Sequence, residues 1–325
     1  MPERSVADGG RAFAELRPLL LSIAYRMIGS ATEAEDVVQE AYVRFLRDTA
    51  AGTEVASPKA YLSAVTTRLS IDHLRSARVR RESYVGTWLP EPLITDEGWE
   101  TERQAETADS LSMGFLVLLE SLSPIQLAVF LLRDVFQYEY AEIASIVEKS
   151  EENCRQIAAR ARRQVQAGRP RFEASRAQRE ELARRFFEAV VDGDLEGLVG
   201  LLAADVVAYT DGGGKATALP RPVHGRARVA RLLGGPAVRS GHVQVRSDDT
   251  VERVTIVSMR LAQLNGQPGA LLLDPDGRPV VAISLDIADG QVQGLRAVTN
   301  PDKLAHLRAS TLGDDQVDAT PEFGR

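Results

Sequence analysis

The sequence predicts a multidomain chain: two all-α modules, the second built on a helix-turn-helix, followed by an α+β domain. Three observations carry this. Residues 11–80 and 111–168 keep apolar side chains at helical spacing. Two arginine-rich helical stretches, Arg68 to Arg81 and Tyr140 to Val165, stand apart within one acidic chain. After about Arg176, helices give way to Val-, Ile- and Leu-rich runs punctuated by Asp-Gly pairs.

In the first module Val37, Val38, Ala41, Tyr42, Phe45 and Leu46 keep helical spacing, with Glu35, Asp36, Gln39, Glu40 and Arg44 on the other side. Ser57-Pro58 puts a capping residue and a proline at a helix start. Tyr61, Leu62, Val65 and Leu69 form the apolar stripe of that helix. Between Tyr84 and Ser110 the pattern breaks. Trp88-Leu89-Pro90-Glu91-Pro92 leads into Asp96, Glu97, Glu100, Glu102 and Glu106, which reads as an acidic linker.

Periodicity resumes at Leu111, Phe115, Leu118, Leu119 and Leu122, and Ser123-Pro124 starts another helix through Leu131. Tyr140–Val147, a turn at Glu148-Lys149 and a helix capped by Ser150 and running to about Gln166 complete the helix-turn-helix. Beyond Arg176, two helices (Gln178 to Val191, Leu195 to Leu202) precede candidate strands 205–210, 242–246, 251–259, 270–273, 279–288 and 292–298. Asp276-Gly277 and Asp289-Gly290 mark turns between them. The resulting expected segments are 11–83, a linker 84–110, 111–168, 176–309 and a disordered tail 310–325.

Composition narrows the function. The chain has 325 residues, 44% hydrophobic and 26% charged, which suits two or three ordinary domains. Its net charge of -7 and pI near 5.4 mean that bulk attraction to DNA cannot explain the arginine clusters. Their charge is local, as positioned phosphate contacts require. The only cysteine is Cys154, so no intramolecular disulfide forms and a cytoplasmic setting is expected. One cysteine without a histidine cluster argues against a zinc finger. No signal segment is expected, and no stretch approaches the roughly 20 apolar residues of a membrane span. Neither a cofactor nor a metal is implied.

A recognition helix in the major groove would bring Asn153, Arg155 and Gln156 near the bases, with Arg160, Arg162 and Arg163 within reach of phosphates. Read alone, this segment could also be an ordinary helical hairpin, and Arg68–Arg81 an exposed charged face. The order of segments decides otherwise. Ala34-Glu35-Asp36-Val37-Val38-Gln39-Glu40-Ala41, then Tyr61-Leu62-Ser63-Ala64-Val65-Thr66, then Asp72-His73-Leu74-Arg75-Ser76 and the helix-turn-helix together resemble a bacterial sigma factor. The resemblance covers about residues 11–168. It is to the small extracytoplasmic-function (ECF) type, which keeps only the second and fourth sigma domains.

Three further motifs extend it: Trp88-Leu89-Pro90-Glu91-Pro92, Asp211-Gly212-Gly213-Gly214-Lys215 and Asn300-Pro301-Asp302-Lys303-Leu304. They look like the signatures of the sigma factor J type, which fuses a SnoaL-like cone domain to the sigma core. The resemblance implies docking on the clamp of core RNA polymerase through Asp36, Gln39 and Glu40. It implies opening of the −10 element, and capture of its unstacked single strand, by the helix carrying Thr66, Arg68, Asp72, Arg75, Arg78 and Arg81. It also implies reading of the −35 duplex by the helix-turn-helix. The chain departs from the family in the tight turn, where Glu148 replaces the usual glycine, and in opening the recognition helix with Glu151 and Glu152. These carboxylates favour a helix N-terminus but repel phosphate.

SnoaL-like folds include cyclases and isomerases, so Asp211, Lys215 and His224 are candidate acid–base residues, and an unknown small molecule is a possible ligand. The triple glycine is not a Walker loop, because spacing and Ser/Thr are missing. A regulatory contact is expected instead, formed by Trp88, Pro90, Glu91, Asp211, Gly213, Lys215, Asn300, Asp302 and Lys303. The main alternative is a ligand sensor or enzyme coupled to the sigma part. A helix-turn-helix repressor without polymerase contact is disfavoured by the −10-type helix.

Overall fold

The computed structural model describes residues 2–53, 55–81, 83–95, 110–166, 175–235, 238, 240–247 and 250–308, without the side chains of residues 2–9 and 77–81. The expected acidic run at 96–106 and the tail from 310 lie outside the described residues. The chain forms two compact units: Met1–Glu82 with Leu116–Arg169, and Ser83–Phe115 with Pro170–Arg325.

In the first unit, α1 (Pro2–Ile28), α2 (Ala31–Ala50) and α3 (Pro58–Arg81) pack on one another. Their seam holds Leu20, Ile23, Ala24, Ile28, Val38, Ala41, Phe45 and Leu62, all buried. Ser30 starts α2 by accepting the Glu33 amide at 3.1 Å, and Ser57 caps α3 by accepting that of Ala60 at 3.3 Å. Arg26 is buried beside the ring of Phe136, 5.6 Å from its centroid, and desolvation lowers its pKa to about 10.

A short helix α4 (Met113–Leu119) leads to α5 (Pro124–Phe130), which opens with a capping box between Ser123 and Gln126. The α5 helix widens into a π turn at Leu131–Val135. Then come α6 (Tyr140–Val147) and α7 (Glu151–Gln166), the two limbs of the expected helix-turn-helix. Ile143, Ile146, Val147, Cys154, Ala158, Ala161 and Val165 form its buried seam. Burial also pushes the Cys154 thiol pKa up, which suits a packing role.

In the second unit, α8 (Arg176–Asp192) and α9 (Leu195–Leu201) lead into β1 (Leu202–Asp211) and β2 (Val223–His224). There follow α10 (Arg226–Leu233), β3 (His242–Ser247), β4 (Thr250–Thr255), β5 (Ser258–Leu264), β6 (Gln267–Leu273), β7 (Pro279–Ala288) and β8 (Gln291–Val298). The last helix is α11 (Pro301–Leu304), with a 3-10 turn after it. The main sheet runs β2-β1-β8-β7-β6-β5, and β3–β4 form a separate hairpin. The expectation of a mainly antiparallel sheet meets one parallel pair, β1 with β8. The expected single strand 251–259 is two strands, broken between Thr255 and Ser258. Neither α10 nor β2 was expected.

One core lies where Phe186, Leu198, Val229, Leu285 and Leu295 meet. Alternation along β7 and β8 turns Ser284, Asp286 and Arg296 to the other face, where all three are still buried. Arg296 pairs with Asp286, and desolvation lowers the Arg296 pKa to about 10. Gly114 fits there because a Cβ would stand 2.9 Å from the guanidinium. Residues 93–95 add to the edge of β5. Ile94 bridges Leu264, the Thr95 amide donates to the Gln263 carbonyl at 2.8 Å, and the Leu93 amide donates to Asn265 Oδ1 at 2.9 Å.

Candidate functional site

On α2, Asp36, Gln39 and Glu40 are exposed because Val37, Val38 and Ala41 take the buried side of the helix. Glu40 pairs with Arg44 one turn on, at 2.8 Å. The face expected to meet polymerase is therefore free of the core.

The α3 helix carries the residues assigned to the −10 element, and they divide by burial. Thr66 is fully buried, so it reaches no DNA in this arrangement. Asp72 and Arg75 are exposed and pair with each other at 3.0 Å. Arg78 and Arg81 lie in the helical part of α3, with side chains outside the described residues. Arg68 turns to the helix-turn-helix. Its guanidinium donates to the carbonyls of Ile146 at 2.9 Å and Ser145 at 2.8 Å, and lies 3.4 Å from Glu148. Nearby, the hydroxyls of Ser63 and Tyr138 meet at 2.7 Å in a buried position. These contacts hold α3 against the end of α6. Sequence reasoning missed this clasp: nothing in the spacing of Ser63, Arg68 and Tyr138 relates them before folding.

On α7, Asn153, Arg155, Gln156, Arg160 and Arg163 are exposed. Arg155 is held by Glu151 at 2.8 Å and lies over the Tyr140 ring, 5.0 Å from its centroid. Arg162 is half-buried and bound to Asp134 at 2.7 Å, which raises its pKa and makes it less available to phosphate than its neighbours. Glu148 adopts φ 55°, the left-handed conformation that explains why glycine suits this turn.

In the second unit the three sequence motifs converge on one carboxylate. Asp211 ends β1, is fully buried, and accepts four hydrogen bonds. Oδ1 takes the Tyr84 hydroxyl at 2.5 Å and the Gly213 amide at 3.0 Å. Oδ2 takes the Leu89 amide at 2.8 Å and Lys303 Nζ at 2.7 Å. Lys303 also donates to the Leu89 carbonyl and stands over the Trp88 ring, 4.3 Å from its centroid. Burial, and then the bond to Asp211, raise the Tyr84 pKa well above the usual phenol range.

Around this centre, Asn300 caps α11 by accepting the Asp302 amide at 3.1 Å, and donates from Nδ2 to Tyr84 at 3.0 Å. Gly213 has φ 57°, and a Cβ there would come within 2.3 Å of Asn300 Nδ2. Lys215 pairs with Asp302 at 2.6 Å on the surface. Pro90 and Glu91 are buried, and His306 lies 3.8 Å from Glu91 and 2.8 Å from the Pro92 carbonyl. His224 stands exposed on β2, outside this cluster. Tyr84 and His306 were missed, since neither belongs to a motif. No group of three or more His, Cys, Asp or Glu that could hold a metal occurs among the described residues.

Comparison with known proteins matches three segments of the chain to known families. Residues 12–80 match the Sigma-70 region 2 family, residues 112–165 match Sigma-70, region 4, and residues 183–293 match the SnoaL-like domain. The ECF RNA polymerase sigma factor SigJ of Mycobacterium tuberculosis (strain ATCC 25618 / H37Rv) is 36% identical over 300 residues, covering 90% of this chain and 91% of the relative. A probable ECF RNA polymerase sigma factor, SigI, of the same species (strain CDC 1551 / Oshkosh) is 34% identical over 197 residues, 60% of this chain and 67% of its own. The crystal structure of the M. tuberculosis extracytoplasmic function sigma factor SigJ matches with a TM-score of 0.69 at 33% identity. That match covers 90% of this chain and 97% of the other. With a relative this similar along most of both chains, the chain belongs to the ECF RNA polymerase sigma factor family, as an alternative sigma factor for transcription initiation that carries a C-terminal SnoaL-like domain.

Proposed function

We propose that this sigma factor docks on the core RNA polymerase clamp through Asp36, Gln39 and Glu40. It opens the −10 element with α3 and reads the −35 duplex with α7. Its SnoaL-like domain regulates it by holding the linker that joins the two reading modules. The work is done in the cytoplasm, with polymerase and promoter DNA as partners.

The observation that carries the regulatory reading is the saturation of Asp211. An ionised carboxylate has about four lone-pair sites, and here four donors take them, two of the four from linker residues Tyr84 and Leu89. Four donors holding both oxygens suit an anchor better than a general base. Lys303 is likewise spent on Asp211 and on the Leu89 carbonyl. Trp88, Pro90, Glu91, Gly213, Lys215, Asn300 and Asp302 are then regulatory residues around the anchor. With Arg68 bound to the carbonyls of α6, the two readers stand side by side. Reading two separated promoter elements requires them to part, and the anchored linker limits how far they do.

The test is run-off transcription with reconstituted holoenzyme, comparing the wild type with Asn300→Ala and Lys215→Ala. Paired fluorophores on α2 and α7 report the spacing of the readers. Changed transcription together with changed spacing supports the reading. Unchanged transcription by both variants, with turnover of a substrate by the purified protein, would favour an enzyme instead.

A further inference from the structure

Between Gly212 and Ser247 there is no Asp or Glu, but there are seven lysines and arginines, in a chain whose net charge is -7. Folding concentrates part of this charge. An open groove of about 450 Å³ is lined by Ala204 of β1, His224 and Gly225 at the end of β2, and Arg226, Ala227, Arg228 and Arg231 of α10. His224, Arg228 and Arg231 are exposed, and Arg226 is half-buried. The α10 helix buries Val229, Ala230 and Leu233 in the core, which leaves its arginines on the open side.

Three features suit this groove to phosphate. First, among the described residues none of Arg226, Arg228 and Arg231 has a carboxylate partner, unlike the paired Arg176, Arg184 and Arg278 of the same unit. Exposed Asp205, the neighbour of Ala204 on β1, is the carboxylate nearest the groove along the strand, and no ion pair joins it to these arginines among the described residues. Second, Nε of Arg226 is buried without a hydrogen-bond partner, while Nε of Arg231 is fixed on the Ala227 carbonyl at 3.1 Å. Third, α10 begins at Gly225 (φ 90°) with no side-chain cap, which adds the positive end of a helix to the arginines.

We propose that this groove is a phosphate-binding surface for duplex DNA. It gives the SnoaL-like domain a sequence-independent hold on the promoter that the sigma modules read. The proposal rests on the sigma reading only for which DNA is bound. A planar guanidinium takes phosphate oxygens in pairs. Such contacts position a protein on DNA without reading bases. The groove thereby supplies locally the attraction that the acidic chain as a whole lacks.

The experiment uses the full chain in two arms. In the first, the free protein is titrated with a duplex of unrelated sequence across a range of salt. In the second, holoenzyme is titrated with a promoter duplex and with a scrambled one. The variants are Arg226→Gln/Arg228→Gln/Arg231→Gln and the double Arg228→Gln/Arg231→Gln, whose side chains are exposed and whose loss does not endanger folding. A control removes the same charge elsewhere, as Arg176→Gln/Arg184→Gln/Arg278→Gln. Each phosphate contact adds about 0.9 to the slope of log K against log salt. The triple variant is therefore expected to lose about 2–3 of that slope and the double about 2, in both arms, with promoter preference intact. An unchanged slope in the first arm, or an equal loss in the control, overturns the proposal. A wild-type holoenzyme that cannot tell promoter from scrambled DNA counts against the sigma reading alone, because the first arm does not depend on polymerase.

Discussion

Nζ of Lys303 lies 2.7 Å from Oδ2 of Asp211, 92 residues earlier in the chain, with 9% and 0% of the two side chains exposed. The pair joins the end of β1 to α11, and both partners reach back to Leu89 in the linker. Removing one member strands the other charge in the interior, a loss of about 3–5 kcal/mol. Lys303→Met is expected to destabilise the second unit by that amount in urea unfolding followed by Trp fluorescence. A loss under about 1 kcal/mol, the range of an exposed pair, would show that the pair is not buried in solution.

Tyr84 gives a dependence on pH. Its folded pKa is raised above the unfolded value of about 10. Below pH ~10 the phenol is neutral in both states and its contribution is complete. Above that, the unfolded chain loses the proton first, so stability falls as pH rises toward the folded pKa. Tyr84→Phe is expected to remove this alkaline loss and to cost about 1–3 kcal/mol at neutral pH, because Asp211 loses a donor. An identical alkaline slope in the variant would contradict the assignment.

Glu148 occupies the left-handed position after α6 at φ 55° and lies 3.4 Å from Arg68. Glu148→Gly is expected to stabilise the folded chain by about 1 kcal/mol, since glycine adopts this conformation without a Cβ penalty. Losing a carboxylate that repels phosphate is also expected to strengthen −35 duplex binding. Calorimetry and a mobility-shift titration check the two effects. A destabilised variant would mean that the Arg68 contact outweighs the backbone strain.

The two proposed readers are expected to separate by mutation. Arg75 on α3 and Gln156 on α7 are both exposed. A base-reading contact is worth roughly 1–3 kcal/mol. Each alanine substitution is therefore expected to lower open-complex formation about tenfold or more, read by permanganate footprinting. A promoter with a pre-melted −10 bubble should rescue Arg75→Ala and leave Gln156→Ala impaired. Equal rescue of both contradicts the division of labour.

The helices that open on a capping residue were legible because that signal is local. Ser57-Pro58, Ser123-Pro124 and Ser150 sit where helices begin, and Asp289-Gly290 makes its turn with both residues at positive φ. The strands were legible in number only where turn residues bounded them. The break at Ile256-Val257 carries no glycine or proline, so β4 and β5 read as one. The α10 helix was hidden among prolines and glycines that punctuate 212–241. The three motifs could be singled out, but not the carboxylate that joins them. Tyr84 meets Asp211 across 127 positions and Asn300 across 216, and no spacing rule spans such distances. The same holds for Arg68, whose charge reads as a DNA contact and whose folded partners are backbone carbonyls 77 and 78 residues away.

The role of this chain as a polymerase specificity subunit is put to the test on α2. Gln39 and Glu40 are exposed beside the buried Val37, Val38 and Ala41, so changing them leaves the core intact. The measurement is co-elution of Gln39→Ala/Glu40→Ala with core RNA polymerase, alongside its circular dichroism. A variant with wild-type helicity that no longer elutes with core polymerase is the predicted result. Co-elution at the wild-type level would contradict it.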